Sequence, residues 1–138
     1  MVNYWDASAL VALLARGPAA ASYRAVARES RIVTWWGTFV ECASAVARRA
    51  REGSAPSQVA ESYRMLEHLS QEWLEIEPSE RLRRAATRAL KVHALRAGDA
   101  LHIGAAMLAS HFEPAVLRFL TEDIQLKQAA EREGFVVS

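Results

Sequence analysis

The 138-residue chain predicts an α/β domain of three layers, with a mostly parallel central sheet of about five strands flanked by helices. Two observations carry this reading. Short apolar or β-rich runs recur along the sequence, and stretches with apolar residues at the helical period separate them. Strands alternating with helices need crossover connections, which place helices on both faces of a parallel sheet. No repeat, low-complexity segment or linker interrupts the pattern, so residues 1–138 are expected to form one domain.

The elements follow in order. Val2 to Trp5 is a short apolar run closed by Asp6, and an Ala-Leu stretch through Leu14 has helical character until Gly17-Pro18 breaks it. Ala19 to Glu29 resumes a helix, and Arg31 to Trp36 is rich in β-formers. Gly37 then hands over to a helix from about Thr38 to Glu52, where Val40, Ala43, Val46 and Ala47 recur at the helical period. Gly53-Ser54 ends it, and Pro56 sits just inside a helix reaching about Gln71. Trp73 to Glu77 reads as a third strand stopped by Pro78, followed by helices over Ser79–Ala94 and Ala97–His111. Ala115 to Leu120 is a fourth strand, Glu122 to Glu133 a last helix, and Phe135 to Val137 a fifth strand after Gly134.

Composition bounds the function. Cys42 is the only cysteine, so the chain has no intrachain disulfide and no cysteine-based zinc site, which favours a reducing compartment. No uninterrupted apolar run approaches ~18 residues and no basic segment precedes an apolar one, so a cytoplasmic, non-membrane protein is expected. Net charge is +1, yet fifteen of the seventeen basic residues are Arg. Codon bias in an Ala-rich sequence accounts for most of that preference. What remains is clustering, in Arg48, Arg49 and Arg51 and in Arg81, Arg83, Arg84 and Arg88, which would make any nucleic-acid surface a patch on one face.

The acids are more informative. Thirteen are Glu and only three are Asp, namely Asp6, Asp99 and Asp123, and each Asp falls at the edge of a predicted element. A residue directly following a parallel strand lies at the carboxyl edge of the sheet, which places Asp6, Asp123 and Glu41 on one rim, where open α/β sheets bind ligands. The helix bearing Asp99 should run antiparallel to the fourth strand and begin on that rim too. Taken alone, the three aspartates have a plainer reading, whereas Glu41, among apolar neighbours in Phe39-Val40-Glu41-Cys42-Ala43, is harder to dismiss. Asp6 and Asp99 suit helix N-caps, and Glu122-Asp123 suits a dipole pair behind a Thr121 cap. Four converging carboxylates would repel and raise one another's pKa unless a cation neutralised them, and an all-oxygen set selects Mg²⁺ or Mn²⁺.

Four segments, Tyr4-Trp5-Asp6-Ala7-Ser8-Ala9-Leu10, Val40-Glu41-Cys42-Ala43-Ser44-Ala45, Leu95-Arg96-Ala97-Gly98-Asp99-Ala100-Leu101-His102 and Phe119-Leu120-Thr121-Glu122-Asp123, occur in the order and spacing of a PIN domain. Over nearly its full length the chain resembles stand-alone bacterial PIN proteins of the VapC toxin type. The resemblance implies a Mg²⁺- or Mn²⁺-dependent endoribonuclease acting on single-stranded or loop RNA of the tRNA or rRNA class. It makes Asp6, Glu41, Asp99 and Asp123 the catalytic, metal-binding acids, with Ser8 and Thr121 as supporting hydroxyls. It also implies a homodimer silenced by a cognate VapB-like antitoxin lying over the helices between Thr38 and Gln71. The apolar faces of those helices, including Phe39, Tyr63 and Leu66, suit a groove for an antitoxin helix and, equally, homodimer or core packing.

Other residues carry less. Arg96 is the arginine placed nearest the rim, as an RNA-phosphate contact. His102 shares a helix face with Asp99, and a packed or hydrogen-bonded role suits it better than ligation; His68, His93 and His111 suit surface or helix-end positions. Trp35 and Trp36 suit core or interface packing more than base stacking, and Cys42 a small buried helix position. Two other classes remain open: a non-catalytic RNA-binding or regulatory relative, and a receiver-like phosphoryl-transfer protein. The latter is weakened because the end of the third strand reads Glu75-Ile76-Glu77-Pro78, with no acceptor aspartate.

Overall fold

A computed structural model describes residues 1–15 and 17–138. Strand β1 (Val2–Trp5) leads into α1 (Ala7–Leu14) and α2 (Pro18–Glu29), and β2 (Ile32–Trp35) into α3 (Thr38–Arg51) and α4 (Pro56–Glu72). Strand β3 (Leu74–Ile76) is followed by α5 (Glu80–Val92) and α6 (Ala97–Ala109). A 3₁₀ turn (Pro114–Val116) precedes β4 (Leu117–Leu120), α7 (Ile124–Glu133) and β5 (Val136–Val137). The sheet is parallel at every pairing, in the order β3-β2-β1-β4-β5.

The period of two in the strands divides the core. Tyr4, Val33, Leu117 and Phe119 point to one face and pack with α5, α6 and α7. Trp5, Ile32 and Leu120 point to the other and pack with α1, α3 and α4. Three layers result. Central β1 is paired on both sides, Asn3 with Ile32 and Tyr4 with Val33 on one edge, and Val2 through Trp5 with Leu117 through Leu120 on the other. Asn3, Tyr4 and Trp5 are therefore buried, and the strand leads at its carboxyl end into Asp6.

The structure shifts several predicted boundaries, each for a local reason. Helix α7 begins at Ile124 and not at Glu122, because the Asp123 side chain accepts from the Leu126 N–H and fixes the cap there. Helix α6 stops at Ala109, short of His111. Its end is wound by left-handed His111 (φ 52°) and Phe112 (φ 62°), with the Phe112 N–H donating to Met107 O at 2.8 Å and the His111 N–H to Leu108 O at 3.1 Å. The predicted strand from Ala115 begins only at Leu117, since Pro114 opens a 3₁₀ turn. Ser79 caps α5 through the Leu82 N–H and so lies outside the helix that was expected to include it.

Two contacts hold the α5–α6–α7 layer together. Glu133 at the end of α7 accepts from Arg88 at 2.5 Å and pairs with His93 at 2.7 Å, tying α7 to the end of α5. Burial pushes the Glu133 carboxyl up, but the bonds from Arg88 and His93 outweigh it and leave the group below its ordinary range. Gly104 of α6 meets α5 so closely that a β-carbon there would stand 2.9 Å from the Ala86 backbone nitrogen and 3.3 Å from Leu82 Cδ1. Among the described residues, no helix is long and apolar enough to cross a membrane.

Gly104→Ala tests this helix contact. Overpacking against a backbone atom costs ~1–3 kcal/mol, which should exceed the ~1 kcal/mol that Ala gains over Gly in helix propensity. The urea midpoint is expected to fall. A midpoint that stays or rises would mean that α5 can move away without loss.

Candidate active site

Asp6 is the structural anchor of the rim. It follows β1 as the N-cap of α1 and is 3 % exposed. Its Oδ1 accepts from the Ala9 N–H at 2.8 Å, and its Oδ2 from the Thr121 hydroxyl at 2.5 Å. The Ser8 hydroxyl lies between them, 2.8 Å from Oδ1 and 2.9 Å from Oδ2. Three donor groups thus hold a carboxylate with about four acceptor sites, which leaves room for one further partner. The supporting hydroxyls are themselves fixed, Ser8 by the Glu122 N–H at 2.8 Å and Thr121 by the Asp123 N–H at 3.0 Å. Burial pushes the Asp6 carboxyl above its ordinary range, and His102 with the three hydrogen-bond donors only partly offsets it.

The other acids reach the same place from separate elements. Glu41 is in the first turn of α3, Asp99 in the first turn of α6, and Asp123 at the N-cap of α7. All four carboxylates line one cleft of ≈ 670 Å³ together with Ser8, Ser44, Arg48 and His102. The plainer readings divide among them. Asp6 is a cap and so is Asp123, which replaces the expected Thr121 cap and Glu122-Asp123 dipole pair. Asp99 is no cap, since Arg96 holds that position through its backbone. Among the described residues Asp99 makes no side-chain hydrogen bond or ion pair. Its carboxyl is pushed above the ordinary range first by burial, then by the charge of Asp123, with smaller contributions from Asp6 and Glu41 against relief from His102. The fold holds this acid among like charges and gives it no hydrogen-bond donor.

Glu41 differs, because its Oε1 faces His102 Nε2 at 2.9 Å and Trp35 Nε1 at 3.4 Å. Its Oε2 points toward Gly98, where an added β-carbon would lie 3.7 Å away. His102 is 2 % exposed, and its Nδ1 stands 2.8 Å from the Tyr4 hydroxyl.

Arg96, expected to reach a phosphate, does not line the cleft; Arg48 does. The reason is helical phase. Glu41, Ser44 and Arg48 recur at the i, i+3, i+7 spacing that shares one face of α3, a signal present in the sequence. Leu66, for which a partner groove and core packing were both open, is fully buried in the core, whereas Phe39 is half-buried and Tyr63 is 36 % exposed. Trp35 packs against the core as expected, but Trp36 is 53 % exposed. Cys42 is buried, and burial followed by Glu41 and Asp6 pushes its thiol up to about 12, which makes it inert.

The donor chemistry suits a hard divalent cation, being all-oxygen, anionic and short of internal countercharge. Among the described residues no group of three or more His, Cys, Asp or Glu side chains could hold a metal ion as it stands. A cation here would therefore keep several waters and touch only one or two carboxylates, as Mg²⁺ does.

No family model matches the chain, and no curated protein matches it. Among solved structures it is similar to the crystal structure of PAE2754 from Pyrobaculum aerophilum, with a TM-score of 0.67 and 21% identity over 99% of this chain and 83% of that one. At that identity the likeness establishes the three-layer α/β fold.

Asp99→Asn tests the electrostatics of the cleft. The folded-state pKa of Asp99 is raised, so its contribution to stability is full below the unfolded pKa and lost as pH rises through the folded value. In EDTA, the variant should melt above the wild type by a margin that opens as pH increases from about 4 and persists at neutrality. A variant that melts lower at neutral pH would show that the favourable first-turn dipole outweighs the repulsion.

Proposed function

We propose that this chain is a metal-dependent endoribonuclease of the PIN type, acting as the toxin of a toxin–antitoxin pair. The observation that carries the reading is the placement of Asp6, Glu41, Asp99 and Asp123, from four remote segments, around one cleft at the carboxyl ends of parallel strands. The substrate is single-stranded or loop RNA. Asp6 and Asp99 would hold Mg²⁺ or Mn²⁺, with Asp123 and Glu41 completing the charge around it. The cation, when bound, supplies Lewis acidity to water and offsets the charge of the phosphate.

The chain's own residues do the rest. Ser8 and Thr121 keep the Asp6 carboxylate in one orientation, so its free lone pair faces a constant direction. Glu41 orients the attacking water through an oxygen held on the cleft side. Water attacks phosphorus, the bond from phosphorus to the 3′ oxygen breaks, and that oxygen takes a proton, leaving a 3′-hydroxyl and a 5′-phosphate. The ribose 2′-hydroxyl takes no part. Arg48 stands about 10 Å of helix rise from Glu41 and makes no ion pair among the described residues. It is placed for a phosphate flanking the scissile one.

A nuclease of this kind requires restraint in its host. A VapB-like antitoxin that inserts an Arg among the carboxylates would displace the cation and pair with them bidentately. Homodimerisation belongs to the same proposal. The second reading is a non-catalytic RNA-binding relative, in which Arg48 and the cleft would hold RNA without cutting it.

The two readings separate on one experiment. Purified protein with labelled RNA should cut in Mg²⁺ or Mn²⁺ and stop in EDTA, and Asp6→Asn should abolish cutting while leaving the fold intact, because the amide oxygen can still cap the Ala9 N–H. Cleavage that continues in EDTA contradicts the metal mechanism. RNA binding without cleavage under any divalent cation favours the non-catalytic relative.

A further inference from the structure

Glu41 is the one carboxylate of the cleft whose orientation is set by a buried imidazole. We infer that Tyr4 and His102 form a positioning device for Glu41, fixing the imidazole tautomer so that one carboxylate oxygen is tied and the other is presented to the cleft. The inference deepens the nuclease reading and rests on it for its functional consequence.

The geometry constrains the proton. An ionised carboxylate can only accept, so the 2.9 Å contact between His102 Nε2 and Glu41 Oε1 requires hydrogen on Nε2. In the neutral ring Nδ1 is then an acceptor. The Tyr4 hydroxyl, 2.8 Å away, is the group that donates to it. Tyr4 is fully buried on central β1 and its phenol stays protonated, since burial raises its pKa further. A ring-to-ring edge contact, with centroids 5.8 Å apart and planes at 73°, holds the imidazole at the angle these bonds need.

The result at Glu41 is asymmetric. Oε1 takes the His102 N–H and the longer contact from Trp35 Nε1 at 3.4 Å, while Oε2 faces the unfilled space above Gly98, next to Asp99. Three of the four cleft acids are held by donors, Asp6 by hydroxyls and a backbone N–H, Asp123 by a backbone N–H and Glu41 by this imidazole. The imidazole is in turn held on its far side by the Tyr4 hydroxyl. Tyr4 thus acts on the cleft without touching it, from the opposite side of His102.

The test combines a spectrum with kinetics on the full chain. In ¹⁵N-labelled wild type, the long-range ¹H–¹⁵N spectrum of His102 should show a protonated Nε2 and an acceptor Nδ1. Tyr4→Phe keeps the ring and removes only the hydroxyl, so the Nδ1 resonance should move downfield as that acceptor loses its donor, and kcat for labelled single-stranded RNA should fall about ten- to hundredfold with KM little changed. His102→Gln, which can still donate an N–H to Glu41, should retain more activity than His102→Leu at matched circular dichroism. A wild-type spectrum with hydrogen on Nδ1, or a Tyr4→Phe spectrum unchanged from wild type, overturns the device. Spectra as expected with a wild type that cuts no RNA would uphold the device and overturn the nuclease reading.

Discussion

A buried carboxylate at the carboxyl end of a central parallel strand is the constraint on which the rest of this molecule depends. Asp6 cannot be solvated at 3 % exposure, so its oxygens must be met from within. The Ala9 N–H does this by starting α1, and Thr121 by bringing the β4–α7 turn against β1. The Asp6 N–H donates to Leu120 O, which locks the same two strands at their ends. Thr34 reaches across from β2 to the Trp5 carbonyl, so the neighbouring strand is fastened at the same level. The rim is held together by the donors given to one acid, and the bond from the Asp123 N–H to the Thr121 hydroxyl ties the start of α7 to it.

The other three acids show a different balance. Glu41 and Asp123 are each held by one oxygen, and among the described residues Asp99 by neither. The charge that raises the Asp99 carboxyl comes chiefly from Asp123 once burial is counted, so the cleft carries repulsion that the apolar layers must outweigh. Tyr4 shows how closely the two are joined. Its ring stacks on Phe119 in the core while its hydroxyl supports the imidazole behind Glu41, so a single residue of β1 serves packing and site together.

Much of this was legible in the sequence for physical reasons. The strands and helices appear because the period changes from two to 3.6 with little ambiguity, and the carboxyl-edge rule then places Asp6, Glu41 and Asp123 without coordinates. Helix ends were less legible, since Asp123, Ser79 and the His111-Phe112 turn decide them through side-chain and backbone bonds that composition does not reveal. Arg48 is legible in principle from its seven-residue spacing to Glu41, whereas the closeness of Arg96 to Asp99 in sequence does not bring it to the cleft. The Tyr4–His102–Glu41 chain was not legible, because it joins residues 98 and 61 positions apart whose contact exists only after the sheet and α3 and α6 have assembled.

If the cleft takes a hard divalent cation as proposed, anomalous diffraction from crystals soaked in Mn²⁺ should locate it. A manganese peak is expected in the cleft with a carboxylate oxygen of Asp99, Asp6 or both at ~2.0–2.2 Å and waters completing the shell, as for octahedral ions of this class. A fully soaked crystal with no peak there, or with manganese only at surface acids such as Glu61 or Glu80, would contradict it.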